Sequence, residues 1–369
     1  MQEIKKRLEG KVLPIVLFTI FIDLLGVGIL IPVIPQLLAN PANPAYLLPH
    51  GWTYKQGLVL LGYLLAIYPF MQFLATPILG QLSDRFGRKK ILAISLAGTS
   101  ISYALFAIGI LTKNIPLLFF SRGFDGITGG NISVAQAAIA DVTAPKHRTR
   151  NFGLMGAIFG LGFVLGPYIG GKLATGSVTL LHIGSLRLLT TPRWFSAATP
   201  FWFAAILSAV NVLLVLINFP ETLSRIQKHL TIDWNKSFHN IVKAASMPGL
   251  RTVFPTVFLF WGGFAFFQTF FAVYLTNKLH FRANNIGDYF AYIGLWIAFT
   301  QGFLTNKLSK RFTNAQILRV SIIGLAAALL LVFIPHNTTQ LVLPSPFIPI
   351  FVGLTIPTST FLVSLSAPP

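Results

Sequence analysis

The sequence predicts an all-α membrane protein made of two related helical halves, the second of them incomplete. Three observations carry this. Of 369 residues, 54% are hydrophobic and only 10% are charged, against about 25% charged in a soluble domain; mean hydropathy is +0.71. Apolar runs long enough to cross a bilayer, about 20 residues each, recur along the whole chain. A short basic loop also occurs twice. Gly80–Leu92 reads GQLSDRFGRKKIL, and 302–311 reads GFLTNKLSKR. Gly80 aligns with Gly302, Asp84 with Asn306, Arg85 with Lys307 and Arg88 with Lys310, all 222 residues apart. Repeated halves are the signature of secondary transporters.

The predicted spans lie near 12–38, 57–79, 90–111, 116–140, 151–175, 199–219, 252–277, 285–305, 316–335 and 347–366. The first is too long for a signal peptide and has no small-residue cleavage site, so it is read as a retained span. Of the 28 Lys and Arg, 20 fall in the N-terminus and the even-numbered loops, seven in the other loops, and Arg122 inside a span. The positive-inside rule then places the N-terminus in the cytoplasm. The net charge of +19 follows from these loop clusters and gives no reason to expect nucleic acid as a partner. There are no cysteines, which excludes disulfides and thiolate chemistry. The seven histidines are scattered, and neither metal nor cofactor is expected.

Residues 220–250 form the longest cytoplasmic connection and divide the chain into an N-terminal six-helix bundle (1–219), a linker (220–250) and a partial C-terminal bundle of about four helices (251–369). By the offset, spans seven to ten match spans one to four. The end of span four near Ala140 maps to about residue 362, so the partners of spans five and six are expected to be missing.

Four groups of residues carry chemistry. In the 80–92 loop, Gly80 and Gly87 permit close approach and a tight turn. Asp84 can pair with Arg88, or accept from a neighbouring helix N-terminus. With Arg85 beside them, and Asp141 at the end of span four as a second acid for Arg88, they form a cluster able to latch and release helices. In span five, Gly162, Gly166 and Gly170 recur every four residues and form a small-residue stripe for close packing. Pro167 allows a bend, so the stripe is either static packing or a hinge. Gly166–Lys172 mimics a phosphate-binding loop, but Leu173 stands where Ser or Thr belongs and the run lies in a membrane span, so an ATPase is rejected. Inside apolar runs stand Asp23, Arg122 and Asp125. Charge there is costly and faces a partner or an aqueous cavity. Arg122 and Asp125, three apart, share a face and can neutralise each other; Asp23 has no partner in its own span. Asn131, Gln136, Gln268, Trp261 and Tyr292 are the polar and aromatic candidates for a substrate cavity, the buried amides because each needs a partner.

These motifs resemble the major facilitator superfamily, and within it the twelve-span drug:proton antiporters that include tetracycline and multidrug exporters. Leu25-Gly26 followed by Pro32-Val33-Ile34-Pro35 resembles that branch's first-span motif, and Gly80–Leu92 resembles the superfamily's loop signature. Arg122, Gly126 and Gly129 resemble the fourth-span motif. Gly153, Gly162, Gly166-Pro167 and Gly170-Gly171 resemble the fifth-span antiporter motif, and Phe219–Leu223 the exit from span six. The resemblance implies two pseudo-symmetric bundles that alternate access to a central cavity in a bacterial inner membrane. It also implies proton-coupled efflux of a hydrophobic drug-like molecule by a monomer, with Asp23 and Arg122 facing the cavity; Asp125 lies outside the usual motif. A nutrient symporter or facilitator, and a truncated chain without transport, are the other readings.

Overall fold

The computed structural model describes residues 2–49, 51–144, 147–183, 186–223, 232–247, 251 and 253–366. Helix α1 (Gln2–Leu38) runs unbroken through Pro14, Pro32 and Pro35. Helix α2 (Tyr54–Phe86) starts at a capping box: Gln56 N donates to Thr53 Oγ1 at 3.3 Å, and Thr53 N donates to Gln56 Oε1 at 2.8 Å. It ends at Gly87, whose φ of 98° lies in the region that favours glycine. Helix α3 (Arg88–Leu111) leaves at once. The fourth span is divided into α4 (Ile115–Thr128), a 3₁₀ turn at Gly129–Asn131, and α5 (Ile132–Val142). The break falls on two glycines that let this span lie against α2, Gly129 on the Tyr68 ring and Gly130 on the backbone at Thr76.

Helix α6 (Arg148–Leu173) is followed by a two-stranded antiparallel hairpin, β1 (Thr179–Ile183) with β2 (Leu186–Thr190). The hydropathy reading has no place for this hairpin, whose strands are too short to register as a span. Then come α7 (Thr199–Asn218) and the linker helix α8 (Lys236–Ser246). The second half comprises α9 (Val253–Lys278), α10 (Ala283–Phe299), a wider π turn at Thr300–Leu304, α11 (Thr305–Ser309), α12 (Asn314–Leu331), α13 (Thr338–Val342) and α14 (Phe347–Ser366).

Among the described residues, eight helices are long and apolar enough to cross a membrane. The two further spans read from hydropathy are the divided fourth and the one carrying the π turn. Two hydrophobic cores are built mainly from the first seven helices, around Leu25, Phe106 and Phe201 and around Val16, Leu92 and Val215; the first also takes in Val273 of α9. A third lies in the second half around Phe271, Leu325 and Val352. Ile206, Leu213 and Ile217 on α7, and Val320, Ile323 and Leu330 on α12, are exposed. Apolar belts of this extent belong against lipid. The 222-residue offset aligns α2 with the α10–α11 segment, α3 with α12 and the fourth span with α13–α14. It does not align α1 with α9, because the 39–53 connection is far longer than the 279–282 connection.

The glycine stripe of α6 is the tightest seam. A methyl group at Gly166 would stand 2.7 Å from Gly28 Cα and 2.8 Å from the Leu25 carbonyl oxygen. At Gly170 it would stand 2.7 Å from the Ile29 oxygen, and at Gly162 2.5 Å from Leu24 Cβ. Thus α6 meets α1 backbone to backbone over two turns. On its other side, Gly171 packs on Ala283 and Gly287 of α10, and Val164 fills the space above Gly294. Gly153 lies in the first turns of α6. Gly156 is exposed with open space around it. Gly166→Leu is therefore expected to destabilise the detergent-solubilised chain by about 1–3 kcal/mol, the usual range for overpacking, while Gly156→Leu leaves it unchanged or more stable. Thermal unfolding followed by size-exclusion chromatography measures this, and equal effects would contradict the seam.

Candidate functional site

Two polar constellations stand out, one in the middle of the first half and one at an end. In the middle, Arg122 and Asp125 on α4 form an ion pair, Nη1 to Oδ2 at 2.6 Å, with both residues under 5% exposed. The three-residue spacing on one helix brings the groups together. The Arg122 guanidinium also lies 4.3 Å above the Tyr68 ring of α2, a favourable cation–π contact in a desolvated site. Tyr68 is held in turn. Gln72 Nε2 donates to its hydroxyl at 3.0 Å and to the Gly129 carbonyl at 2.8 Å, so the broken fourth span is tied to α2.

Asp23 on α1 is buried within electrostatic reach of this pair. Neither of its carboxyl oxygens meets hydrogen-bond geometry with any described residue. The Asn131 side chain stands beside it, also outside that geometry and fully buried. Tyr103 of α3 brings its hydroxyl against Gly26, one turn along α1 from Asp23. The spacing of Arg122 and Asp125 thus does what local geometry allows, and Asp23 is left without an ion-pair partner among the described residues.

The end cluster centres on Arg88, the first residue of α3. Its Nη1 lies 2.7 Å from Asp84 Oδ1 and donates to Ser83 Oγ at 2.5 Å; its Nε lies 3.2 Å from Asp141 Oδ2. Both acids expected for Arg88 are present. Glu221, just past α7, adds a third. Its Oε1 accepts from the Arg88 backbone N–H at 2.9 Å and its Oε2 from that of Lys89 at 3.2 Å. A carboxylate here satisfies the open N–H groups of α3 and meets the positive end of its dipole. A Cβ on residue 87 would press on that carboxylate, a second reason for Gly87. Thr222 Oγ1 donates to Asp141 Oδ2 at 3.1 Å. The α2–α3 turn, the end of α5 and the exit of α7 are thus joined through four side chains.

Gly80 and Arg85 stand apart from the cluster. A Cβ at Gly80 would make only ordinary contact with Ser133, and Arg85 lies over the Phe86 ring.

At the opposite end the two halves touch. Gln36 Nε2 donates to Thr276 Oγ1 at 3.0 Å and to the Phe281 carbonyl at 2.9 Å, while its Oε1 accepts from Asn40 and Asn43. Lys172 pairs with Asp288 at 2.8 Å, and Asn277 bonds the Tyr54 hydroxyl. The halves are closed at this end. The cavity candidates are dispersed. Asn131 lies by Asp23, Gln136 is exposed on α5, and Gln268 is half-buried on α9. Trp261 stacks edge-on with Phe260 and Phe264. Tyr292 lines a pocket of about 360 Å³ with His280 and Asp288 at the closed end, not beside Asn131.

Sequence reasoning missed Glu221, Tyr68, Gln72, Tyr103 and Gln36. Tyr68 and Gln72 stand four apart in a span, a helical-face spacing that could have marked them. Glu221 lies inside the segment Phe219–Leu223 that the sequence does single out, but nothing local ties it to α3.

The sequence profile described as Major Facilitator Superfamily matches residues 16–369. The chain is similar to the tetracycline resistance protein, class H, of Pasteurella multocida, at 30% identity over 336 residues, 89% of this chain and 74% of that protein. It is similar to the class C tetracycline resistance protein of Escherichia coli, at 32% over 319 residues, 86% and 72% of the two chains. It is also similar to Multidrug resistance protein 1 of Bacillus subtilis (strain 168), at 29% over 342 residues, 92% and 77%. Among solved structures it resembles a bacterial homolog to the human lysosomal transporter Spinster in an inward-facing and occupied conformation. The TM-score is 0.71, with 15% identity and 97% and 78% of the chains covered. It also resembles the human organic anion transporter MFSD10 (TETRAN), with a TM-score of 0.66, 23% identity and 97% and 85% covered. At these identities the structural likeness is one of fold.

The buried pair generates a thermodynamic cycle. Arg122→Ala strands the Asp125 charge and is expected to cost about 3–5 kcal/mol. Adding Asp125→Ala is expected to recover more than about 1 kcal/mol of that loss. Unfolding of the four proteins in mixed detergent micelles measures it, and additive losses would contradict a mutually dependent pair.

Proposed function

Because the chain belongs to the major facilitator superfamily, we propose that it exports a hydrophobic, drug-like small molecule in exchange for protons, by alternating access between two bundles. The observation that carries this reading is Asp23, a buried carboxyl group with no ion-pair partner among the described residues, near an Asp125 whose own charge is met by Arg122 Nη1. A carboxyl group that is neutral with its proton and negative without it changes the cost of moving through a water-poor interior. Asp23 carries the proton and gives it up when substrate occupies the cavity. Arg122 and Asp125 set the field around it, and Asn131 offers the deprotonated form a donor. One proton crossing 100 mV releases about 2.3 kcal/mol, enough to hold roughly a fiftyfold gradient of an uncharged molecule.

Asp84, Arg88, Asp141 and Glu221 are assigned to the cytoplasmic latch. Gln36 and the Lys172–Asp288 pair hold the outer side shut in the arrangement described, and must part when that side opens. Units 1–219 and 251–369 would move about α6, with 220–250 as the cytoplasmic connection. The N-terminus faces the cytoplasm of a bacterial inner membrane, supported by the 20 basic residues assigned to that side. Gly162, Gly166 and Gly170 let α6 slide or tilt on α1 without obstruction by side chains.

Efflux of a lipophilic dye from vesicles with an imposed pH gradient tests the coupling. Asp23→Asn is expected to reduce it to the rate of protein-free vesicles while the chain remains inserted at its usual level. Gradient-driven efflux at the unmodified rate by Asp23→Asn would remove Asp23 from the mechanism.

A further inference from the structure

Near the latch end lies a pocket that the site above does not use. Its volume is about 520 Å³, within the usual range for small-molecule sites. Pro69, Phe73 and Pro77 of α2 form one wall, and Ile132 of α5, Ile241 of α8 and Phe254 of α9 the others. It therefore lies between the two halves, with the linker helix over it. Two contacts hold that helix. The Phe238 ring meets the Phe73 ring edge-on at 5.6 Å. The buried Gln81 amide grips the Asp233 backbone in both directions: Asp233 N donates to Gln81 Oε1 at 2.9 Å, and Gln81 Nε2 donates to Asp233 O at 3.2 Å. Phe238 and Ile241, three apart, share a face of α8 turned to the pocket, which Asn240 also lines, and Lys243, two residues on from Ile241, stands about 160° round the helix from it.

The chemistry of the lining is selective. No acid or base is among the described lining residues. Asn240 of α8 and Thr76 also line it, Thr76 already donating to the Gln72 backbone oxygen at 2.6 Å; the polar group of interest is Gln72. Its Nε2 is fully used by the Tyr68 hydroxyl and the Gly129 carbonyl, whereas its Oε1 accepts from no described residue. An amide oxygen has two acceptor sites, so the pocket offers an acceptor and no acid. It suits a lipophilic molecule, uncharged or with delocalised charge, that carries an N–H or O–H donor. A localised ammonium would find no counter-charge among the described lining residues.

We propose that this pocket is a docking site for lipophilic hydrogen-bond donors, occupied before substrate reaches Asp23. Gln72 is its acceptor and α8 its cover. Gln72 touches Tyr68, and Tyr68 carries the Arg122 guanidinium on its ring, so the pocket abuts the buried charges through two side chains. The purpose of the site rests on the transport reading, but binding to it can be measured without transport.

The absence of cysteine makes the test direct. Ile241→Cys faces the pocket, and Lys243→Cys on the same helix faces away. In lipid nanodiscs, rhodamine 6G, a delocalised cation with two N–H donors, is expected to slow alkylation of Ile241→Cys by N-ethylmaleimide. The slowing is about tenfold at about ten times the dye's dissociation constant, with Lys243→Cys unaffected. Tetramethylrhodamine methyl ester has nearly the same shape and no N–H. Gln72→Leu is expected to weaken protection by rhodamine 6G about fivefold, the weight of one neutral hydrogen bond, and to leave protection by the ester unchanged. Equal slowing at both cysteines, no slowing at Ile241→Cys, or equal loss of both dyes in Gln72→Leu would overturn the proposal. Protection in a chain that moves no dye would support the pocket and count against transport. Normal efflux without protection would do the reverse.

Discussion

Helix α6 is in backbone contact with two helices at once, and the rest of the arrangement depends on that. Through Gly162, Gly166 and Gly170 it lies against Leu24, Leu25, Gly28 and Ile29 of α1. Through Pro167 and Gly171 it lies against Ala283 and Gly287 of α10. The stretch of α1 that it covers carries Asp23 and Gly26, so the position of the buried acid is set by this seam. The stretch of α10 that it covers belongs to the other half. In a bilayer no hydrophobic force draws helices together; close packing of small residues supplies the attraction instead. A seam without side chains brings two backbones as close as they can come, and it fixes α6 against both helices.

Charge is distributed to match. Arg122 and Asp125 neutralise each other at 2.6 Å on one turn of α4, so the interior carries that pair at a tolerable cost. The basic residue at the latch end, Arg88, is answered by Asp84 and Asp141, and the helix end it opens is answered by Glu221. Among the described residues, Asp23 is the buried carboxyl group that this scheme leaves over. The latch-end cluster joins the α2–α3 turn, α5 and the chain leaving α7. The linker helix α8 grips the same α2 through Gln81.

The spans were legible because lipid contact writes itself into composition: a helix such as α7 is apolar over its whole length. The Arg122–Asp125 pair was legible because a spacing of three places side chains together on one helix, and Asp84–Arg88 because opposite charges flank a turn too short to part them. The glycine seam was legible as a stripe, though the partner helix was not. What stayed hidden depends on distance in sequence. Glu221 caps a helix 133 residues before it, and no local pattern records such a contact. Tyr68 and Tyr103 were lost among 34 Phe and nine Tyr, since an aromatic ring in a membrane span usually faces lipid or a neighbour. Tyr292, grouped with the cavity for its polarity, sits at the closed end because the start of α10 lies there. The repeat offset failed for α1 and α9 because connection lengths diverge more freely than helices do.

The central claim is that Asp23 is the group that exchanges a proton for substrate while the Arg122–Asp125 pair stays matched. Proton release on substrate binding tests it most directly. The purified chain, in weakly buffered solution with a pH-sensitive dye, would be mixed with a saturating lipophilic substrate. The account predicts release of about one proton per chain from the unmodified protein, none from Asp23→Asn, and release retained in the Arg122→Ala, Asp125→Ala double variant. Undiminished release from Asp23→Asn would contradict it.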